Sequence, residues 1–152
     1  MRNHSLDELV PILQLAIGPV ILISGVGMLL LTFTNRFGRV VDRTRGLVRE
    51  LAAGPEPATA ALLRAQAEIL TRRASILRLS ITLAAVAALL AGILILLLFL
   101  GVLLELRIGG GVVLVFAAAV ASLIGSLLTF IRDLNLALTA LRLDLRVVPA
   151  AG

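Results

Sequence analysis

The chain has 152 residues, of which 60% are hydrophobic and only 15% are charged. Soluble domains are about half apolar and about a quarter charged, so this composition excludes an ordinary water-soluble fold. The chain has no cysteine, which excludes disulfides and thiolate metal sites. Its net charge of +5 rests on arginine alone, because lysine is absent.

Three long stretches without any charge follow one another, at residues 9–35, 79–104 and 108–131. Each exceeds the roughly 20 apolar residues that a helix needs to cross a bilayer core. We therefore predict an all-α integral membrane protein with three transmembrane helices, forming one membrane domain over residues 1–152. The first stretch is too long for the apolar part of a signal peptide, so we expect it to be a span.

The first predicted helix carries most of the polar residues found within the spans. Ser5-Leu-Asp-Glu8 fits a capping box and predicts a helix start near Leu6, and Pro19 predicts a kink. Candidates to line a pore or its mouth are Ser24, Thr32, Thr34, Asn35 and Arg36. The alternative is that the hydroxyls bond their own helix and that Asn35-Arg36 only marks the membrane interface.

Arginine is distributed very unevenly between the connecting segments. Residues 36–78 hold nine arginines against four acids, and the tail adds Arg132, Arg142 and Arg146. The positive-inside bias predicts that both segments are cytoplasmic. The N-terminus and the short link at 105–111 are then outside.

Apolar residues recur at intervals of seven in segment 36–78. The sets are Val40 and Leu47; Val41 and Val48; Leu62, Ile69 and Ile76; and Leu63, Leu70 and Leu77. Such stripes are typical of coiled-coil packing, and Gly54-Pro-Glu-Pro57 is typical of one helix ending and another starting. We predict a cytoplasmic helical hairpin, 36–53 against 58–78, which extends the first two helices. The second helix would then be roughly 70 Å long.

The tail, residues 132–147, has leucines at helical spacing, but residues 141–147 also alternate with period two. Continuity with the third span favours a tail helix.

Small residues form a face on the third span, where close packing of helix backbones is favoured in lipid. They are Ala118, Ala121, Ser122, Gly125 and Ser126. This face would pack against the first helix or a neighbouring subunit. The alternative is that the alanines have no specific packing role.

Charged residues just after the first span form a further candidate site. Asn35, Arg39, Asp42 and Arg43 share one side of a helix. Asp42 could pair with Arg39 or Arg43 and hold a polar ring at the cytoplasmic mouth. The same arginines would attract anionic lipid headgroups, or serve only as a topology signal.

Catalysis is not expected from this sequence. The spans hold no acid, lysine or histidine, so they provide neither a proton relay nor the base that a serine nucleophile needs. The lone histidine, His4, is predicted to be solvated. We predict no enzyme activity, no cofactor and no metal site. Nucleic-acid binding is not expected either, since no recognition motif is present.

Residues 19–31, followed by Asn-Arg-x-x-Arg-x-x-Asp-Arg at 35–43, resemble the signature of an uncharacterised bacterial membrane family, domain-of-unknown-function family 2721. The resemblance covers about residues 8–146. It implies a multi-pass protein of the bacterial inner (plasma) membrane, and it brings no activity, ligand or catalytic residue. The architecture is also similar to the proton-channel subunits of biopolymer-transport and flagellar-stator motors, which assemble as homo-oligomers around a pore.

Two functional hypotheses follow. The first is a homo-oligomeric channel-like or scaffold assembly, because long thin helices with unpartnered apolar stripes need neighbours. The alternative is an accessory subunit that binds another membrane protein through its helical hairpin.

Overall fold

The computed structural model describes residues 6–104 and 109–147, with side-chain positions for Pro11, Gln14, 16–104 and 109–137. It contains α1 (Leu6–Ala52), α2 (Pro57–Leu103) and α3 (Gly109–Val147). The predicted all-α class with three long helices is therefore confirmed. The predicted cap at Ser5, His4 and the link at 105–107 lie outside the described residues.

All three helices are long and apolar enough to cross a membrane, within Ala16–Ala52, Pro57–Leu103 and Gly109–Ala137. At most 22% of the residues in their most apolar windows are buried inside the chain. The other residues of these windows are partly or largely exposed on the chain, as contact with lipid requires. The chain is thus a multi-pass membrane protein.

The connection between α1 and α2 depends on Gly54. This residue has a positive φ of 70°, which glycine adopts without steric cost. Its N–H donates to the carbonyl of Leu51 at 3.2 Å, so it closes the last turn of α1 as a helix C-cap does. Pro57 then opens α2, where its missing N–H costs no helical hydrogen bond.

The chain divides into two compact units. We call residues 1–31 and 82–125 the alanine unit. Its most deeply buried positions are mostly alanines: Ala84, Ala87, Ala91 and Ala119 show no exposure, beside a nearly buried Val26. A Cβ added at Gly125 would lie 3.4 Å from Leu83 Cδ1. Small side chains therefore let the helix backbones approach closely, which is the main source of helix association in lipid.

We call residues 32–81 and 126–152 the arginine unit. Its buried positions recur at intervals of seven: Phe33, Val40 and Leu47 on α1, and Ser126 and Asp133 on α3. Seven residues correspond to two helical turns, so each set lies on one face of its helix. On α2, Leu77 and Ser80 are fully buried. Three of the largest fully buried side chains of the arginine unit are polar or charged, namely those of Asp133, Ser80 and Ser126. The buried side chains described for the alanine unit are apolar.

Candidate functional site

A buried aspartate on α3 is in contact with one arginine from each of the other two helices. Asp133 has no exposed side-chain surface, whereas Arg36 and Arg73 are 27% and 17% exposed. Arg36 Nη2 lies 3.4 Å from Asp133 Oδ2, and Arg73 Nε lies 3.2 Å from Oδ1. Each carboxylate oxygen thus accepts from a different guanidinium, and Asp133 joins α1, α2 and α3 at one level of the arginine unit.

The helical spacing explains why these three side chains meet. Asp133 follows the buried Ser126 by seven residues and so lies on the same inward face of α3. Arg36 follows Phe33 by three residues, and Arg73 precedes Leu77 by four. Both arginines are therefore on the edges of buried faces. From these edges their long side chains reach inward while each side chain keeps some exposed surface.

Aromatic rings close one side of the cluster. The ring centroids of Phe33 and Phe130 lie 4.4 Å apart at an interplanar angle of 34°. The guanidinium carbon of Arg36 lies 5.4 Å from the Phe130 centroid, within cation–π range. Arg36 therefore contacts a carboxylate and an aromatic face together, which fixes its orientation better than an ion pair alone.

Hydroxyl groups join α2 and α3 beside the charged cluster. Ser126 Oγ donates to the carbonyl of Ser80 at 2.8 Å. The Ser80 and Thr129 hydroxyls lie 2.8 Å apart. Ser80 Oγ also contacts the Ile76 carbonyl at 3.1 Å, and Thr129 Oγ1 contacts that of Ser126 at 2.8 Å. Among the described residues, every buried side-chain nitrogen or oxygen has a hydrogen-bond partner.

An open cavity of about 330 Å³ lies next to the cluster, between α1 and α2. Arginines dominate its lining, which comprises Arg36, Arg39, Arg43, Arg73, Val40 and Leu70. Two of these arginines are the ones that hold Asp133. The site therefore has a buried ionic part and an open, strongly basic part.

The predicted α1 residues are distributed as follows. Ser24, Thr32, Thr34, Asn35, Arg39, Asp42 and Arg43 are exposed on the chain, and Arg36 is partly buried. Ser24 Oγ donates to the Val20 carbonyl at 3.2 Å, within its own helix. Arg39 Nε donates to the Asn35 carbonyl at 3.4 Å. The described ion pair of Asp42 is an exposed one with Arg45, at 4.0 Å.

The small-residue face predicted on the third span is partly exposed in the single chain. Ala118 and Ala121 are exposed, Ser122 and Gly125 are half-buried, and Ser126 is fully buried. Among the residues of α3 with described side chains, the buried alanine is Ala119, seven residues before Ser126. The role of the exposed alanines in packing against another subunit stays a prediction.

Sequence reasoning missed Asp133 and Arg73. Asp133 directly follows an arginine at the end of the third span, and such a pair resembles an ordinary membrane border. The sequence signal that could have identified Asp133 was its spacing, seven residues after Ser126 and fourteen residues after Ala119. An acid in register with two small residues is typical of an inward-facing position.

Comparison with known proteins identifies one match. The model of a family described as "Protein of unknown function (DUF2721)" matches residues 16–143. Neither the curated proteins nor the solved structures include a match to the chain. The matched region contains the whole cluster of Arg36, Arg73 and Asp133.

Proposed function

Because the chain belongs to the DUF2721 family, which brings no known activity, we propose a function from its exposed surface. We propose that the protein is a non-enzymatic scaffold of several identical copies in a bacterial plasma membrane. The uneven arginine distribution supports an orientation with residues 36–78 in the cytoplasm.

The observation that carries this proposal is an apolar stripe on a charged part of α2. Leu62 and Ile69 are 60% and 50% exposed, although the parallel stripe of Leu63 and Leu77 is buried. Between them stand Arg64 and Glu68. Leu62 lies 17 residues before the uncharged stretch that begins at Leu79, about 25 Å along a helix. At that distance lipid tails do not cover Leu62, whereas a second protein surface would shield it from water.

A second copy of the chain is the simplest cover, because residues at intervals of seven on identical helices pack against each other and closed symmetry is the default for such contacts. Burying the exposed half of each side chain contributes about 1 kcal/mol. Association itself costs at least about 4 kcal/mol. The stripe therefore sets the register, and contacts between spans supply the rest.

The polar residues on α1 favour a channel-like form of the same assembly. Ser24, Thr32, Thr34 and Asn35 are exposed on the chain, and polar side chains on a membrane helix favour a protein contact or an aqueous lumen over lipid. An axis formed by α1 helices would place these side chains in a protein contact or a lumen instead of in lipid.

The mass of the protein in mild detergent tests the proposal. We expect an oligomer for the native chain and smaller species for Leu62→Glu/Ile69→Glu, because the added charges oppose burial. The control Ala61→Glu/Thr71→Glu adds the same charge at exposed positions of the same helix and should stay oligomeric. A native chain that is monomeric at all concentrations contradicts the proposal. In that case, crosslinking of 36–78 to a different protein would favour the accessory-subunit alternative. For an oligomer, conductance in planar bilayers separates a channel from a scaffold.

A further inference from the structure

The scaffold function leaves the basic cavity between α1 and α2 unexplained. Its described lining contains four arginines and no acid. The carboxylate of Asp133 contacts Arg36 and Arg73 and neutralises one of the four positive charges. The carboxylate of Asp42 is paired with Arg45, which lies outside the lining. Four guanidiniums and one carboxylate leave a formal charge of +3 around one cavity. We propose that this cavity binds a phosphate group.

Arginines from two helices line the same cavity. Arg36, Arg39 and Arg43 lie three and four residues apart and therefore occupy one face of α1. Arg73 lines the cavity from α2. A guanidinium offers five N–H donors in a fixed fork, and the described contacts with Asp133 use one nitrogen each of Arg36 and Arg73. Several donors can thus reach the same group of oxygens.

The buried aspartate makes this site more than a patch of surface charge. Its contacts with Arg36 and Arg73 hold two long side chains in place before any ligand arrives. Side chains that are already ordered lose less conformational freedom on binding, which strengthens binding. Asp133 is therefore a positioning residue for the anion site.

Phosphate fits this arrangement better than a simple halide does. Arginine forms paired hydrogen bonds with two oxygens of one phosphate, which gives both strength and geometry. The group can come from an acidic phospholipid or from a soluble phosphate. Arg36 is the first charged residue after the uncharged stretch at 9–35, near the level of lipid headgroups, and Val40 and Leu70 give the cavity an apolar side.

Binding to purified full-length chain tests the proposal with two probes. The first is phosphatidic acid in nanodiscs, against phosphatidylcholine alone, with retained lipid measured by native mass spectrometry. The second is inorganic phosphate in detergent, measured by calorimetry. The test variant is Arg39→Gln/Arg43→Gln, which spares the arginines that hold Asp133. The matched control is Arg49→Gln/Arg64→Gln, which removes the same charge from exposed positions of α1 and α2 outside the described lining and leaves the Asp42–Arg45 pair intact.

We expect the test variant to bind the preferred probe roughly 30-fold more weakly, a factor of about five for each arginine near a headgroup, and the control to bind nearly as the native chain does. Retention of phosphatidic acid alone identifies a lipid as the source, whereas binding of inorganic phosphate identifies a soluble one. Native protein that binds neither probe overturns the proposal, as does an equal loss in the test and control variants. Neither result depends on subunit number, so this test is independent of the scaffold proposal.

Discussion

In the alanine unit, the positions without exposure are mainly alanines, and helices associate there through close approach of their backbones. In the arginine unit the corresponding positions include Ser80, Ser126 and Asp133, and specific polar contacts join the helices. Close approach of two helix backbones requires side chains of small volume between them, and several kinds of small residue meet that requirement. Polar contacts depend on which two residues are present, because a buried polar group without its hydrogen-bond partner lowers the stability of the fold. One unit is therefore specified by side-chain size and the other by side-chain chemistry.

The largest expected effect comes from Asp133→Ala, which leaves Arg36 and Arg73 without their buried carboxylate. Breaking a buried ion pair on one side costs about 3–5 kcal/mol of unfolding free energy. Thermal unfolding in detergent, followed by circular dichroism, measures the change, since the chain has no tryptophan or tyrosine for fluorescence. Asp42→Ala, at an exposed position, is the matched control.

A triple variant sharpens this prediction. Arg36→Met/Arg73→Met/Asp133→Leu replaces all three charges with apolar groups, and such replacements are often neutral. It should recover much of the stability that Asp133→Ala loses. Equal stability of Asp133→Ala and Asp42→Ala would mean that the cluster does not hold the unit together.

A smaller loss is expected from Ala87→Leu in the alanine unit. Ala87 has no exposure, so a larger side chain must push the helices apart, at a cost of about 1–3 kcal/mol. Ala85→Leu is the control, because Ala85 is exposed on the same helix. The same thermal measurement applies. If both variants match the native chain, size does not specify this unit.

The smallest effect is expected from Ser126→Ala, which removes the hydrogen bond to the Ser80 carbonyl. Hydrogen bonds between membrane helices contribute about 0.6 kcal/mol on average. Ser75→Ala is the control, since the Ser75 hydroxyl bonds the Thr71 carbonyl of its own helix. A midpoint that falls equally in both variants would assign the effect to helix propensity rather than to the contact between α2 and α3.

The helices were predictable because their signals are local. Uncharged stretches of sufficient length indicate the spans, and Gly54 and Pro57 mark the turn. Intervals of seven placed Leu63 and Leu77 on one face of α2 and Leu62 and Ile69 on another, but they did not indicate that the first face is buried and the second exposed. Helical structure over 132–147 followed from continuity with the third span.

The cluster was predictable only in part, because it depends on which helix faces which. Periodicity groups residues on a face of one helix, and it does not give the rotation of that helix against its neighbours. Arg36 was therefore identified as a candidate, but its buried partner was not. Asp133 is 97 residues away along the chain, beyond the reach of any local pattern.

The hydroxyl contacts between α2 and α3 have a consequence for hydrogen positions. Ser80 and Thr129 have two hydroxyl hydrogens between them, fewer than the contacts that their oxygens make with each other and with the carbonyls of Ile76 and Ser126. When Thr129 donates to Ser80, the Ser80 hydrogen remains for the Ile76 carbonyl. When Ser80 donates to Thr129, the Thr129 hydrogen remains for a carbonyl of its own helix, such as that of Ser126. The two arrangements have opposite dipole directions and need no movement of a heavy atom. The direction of this hydrogen bond between α2 and α3 can therefore reverse through rotation of the two hydroxyl groups alone, without any change in packing.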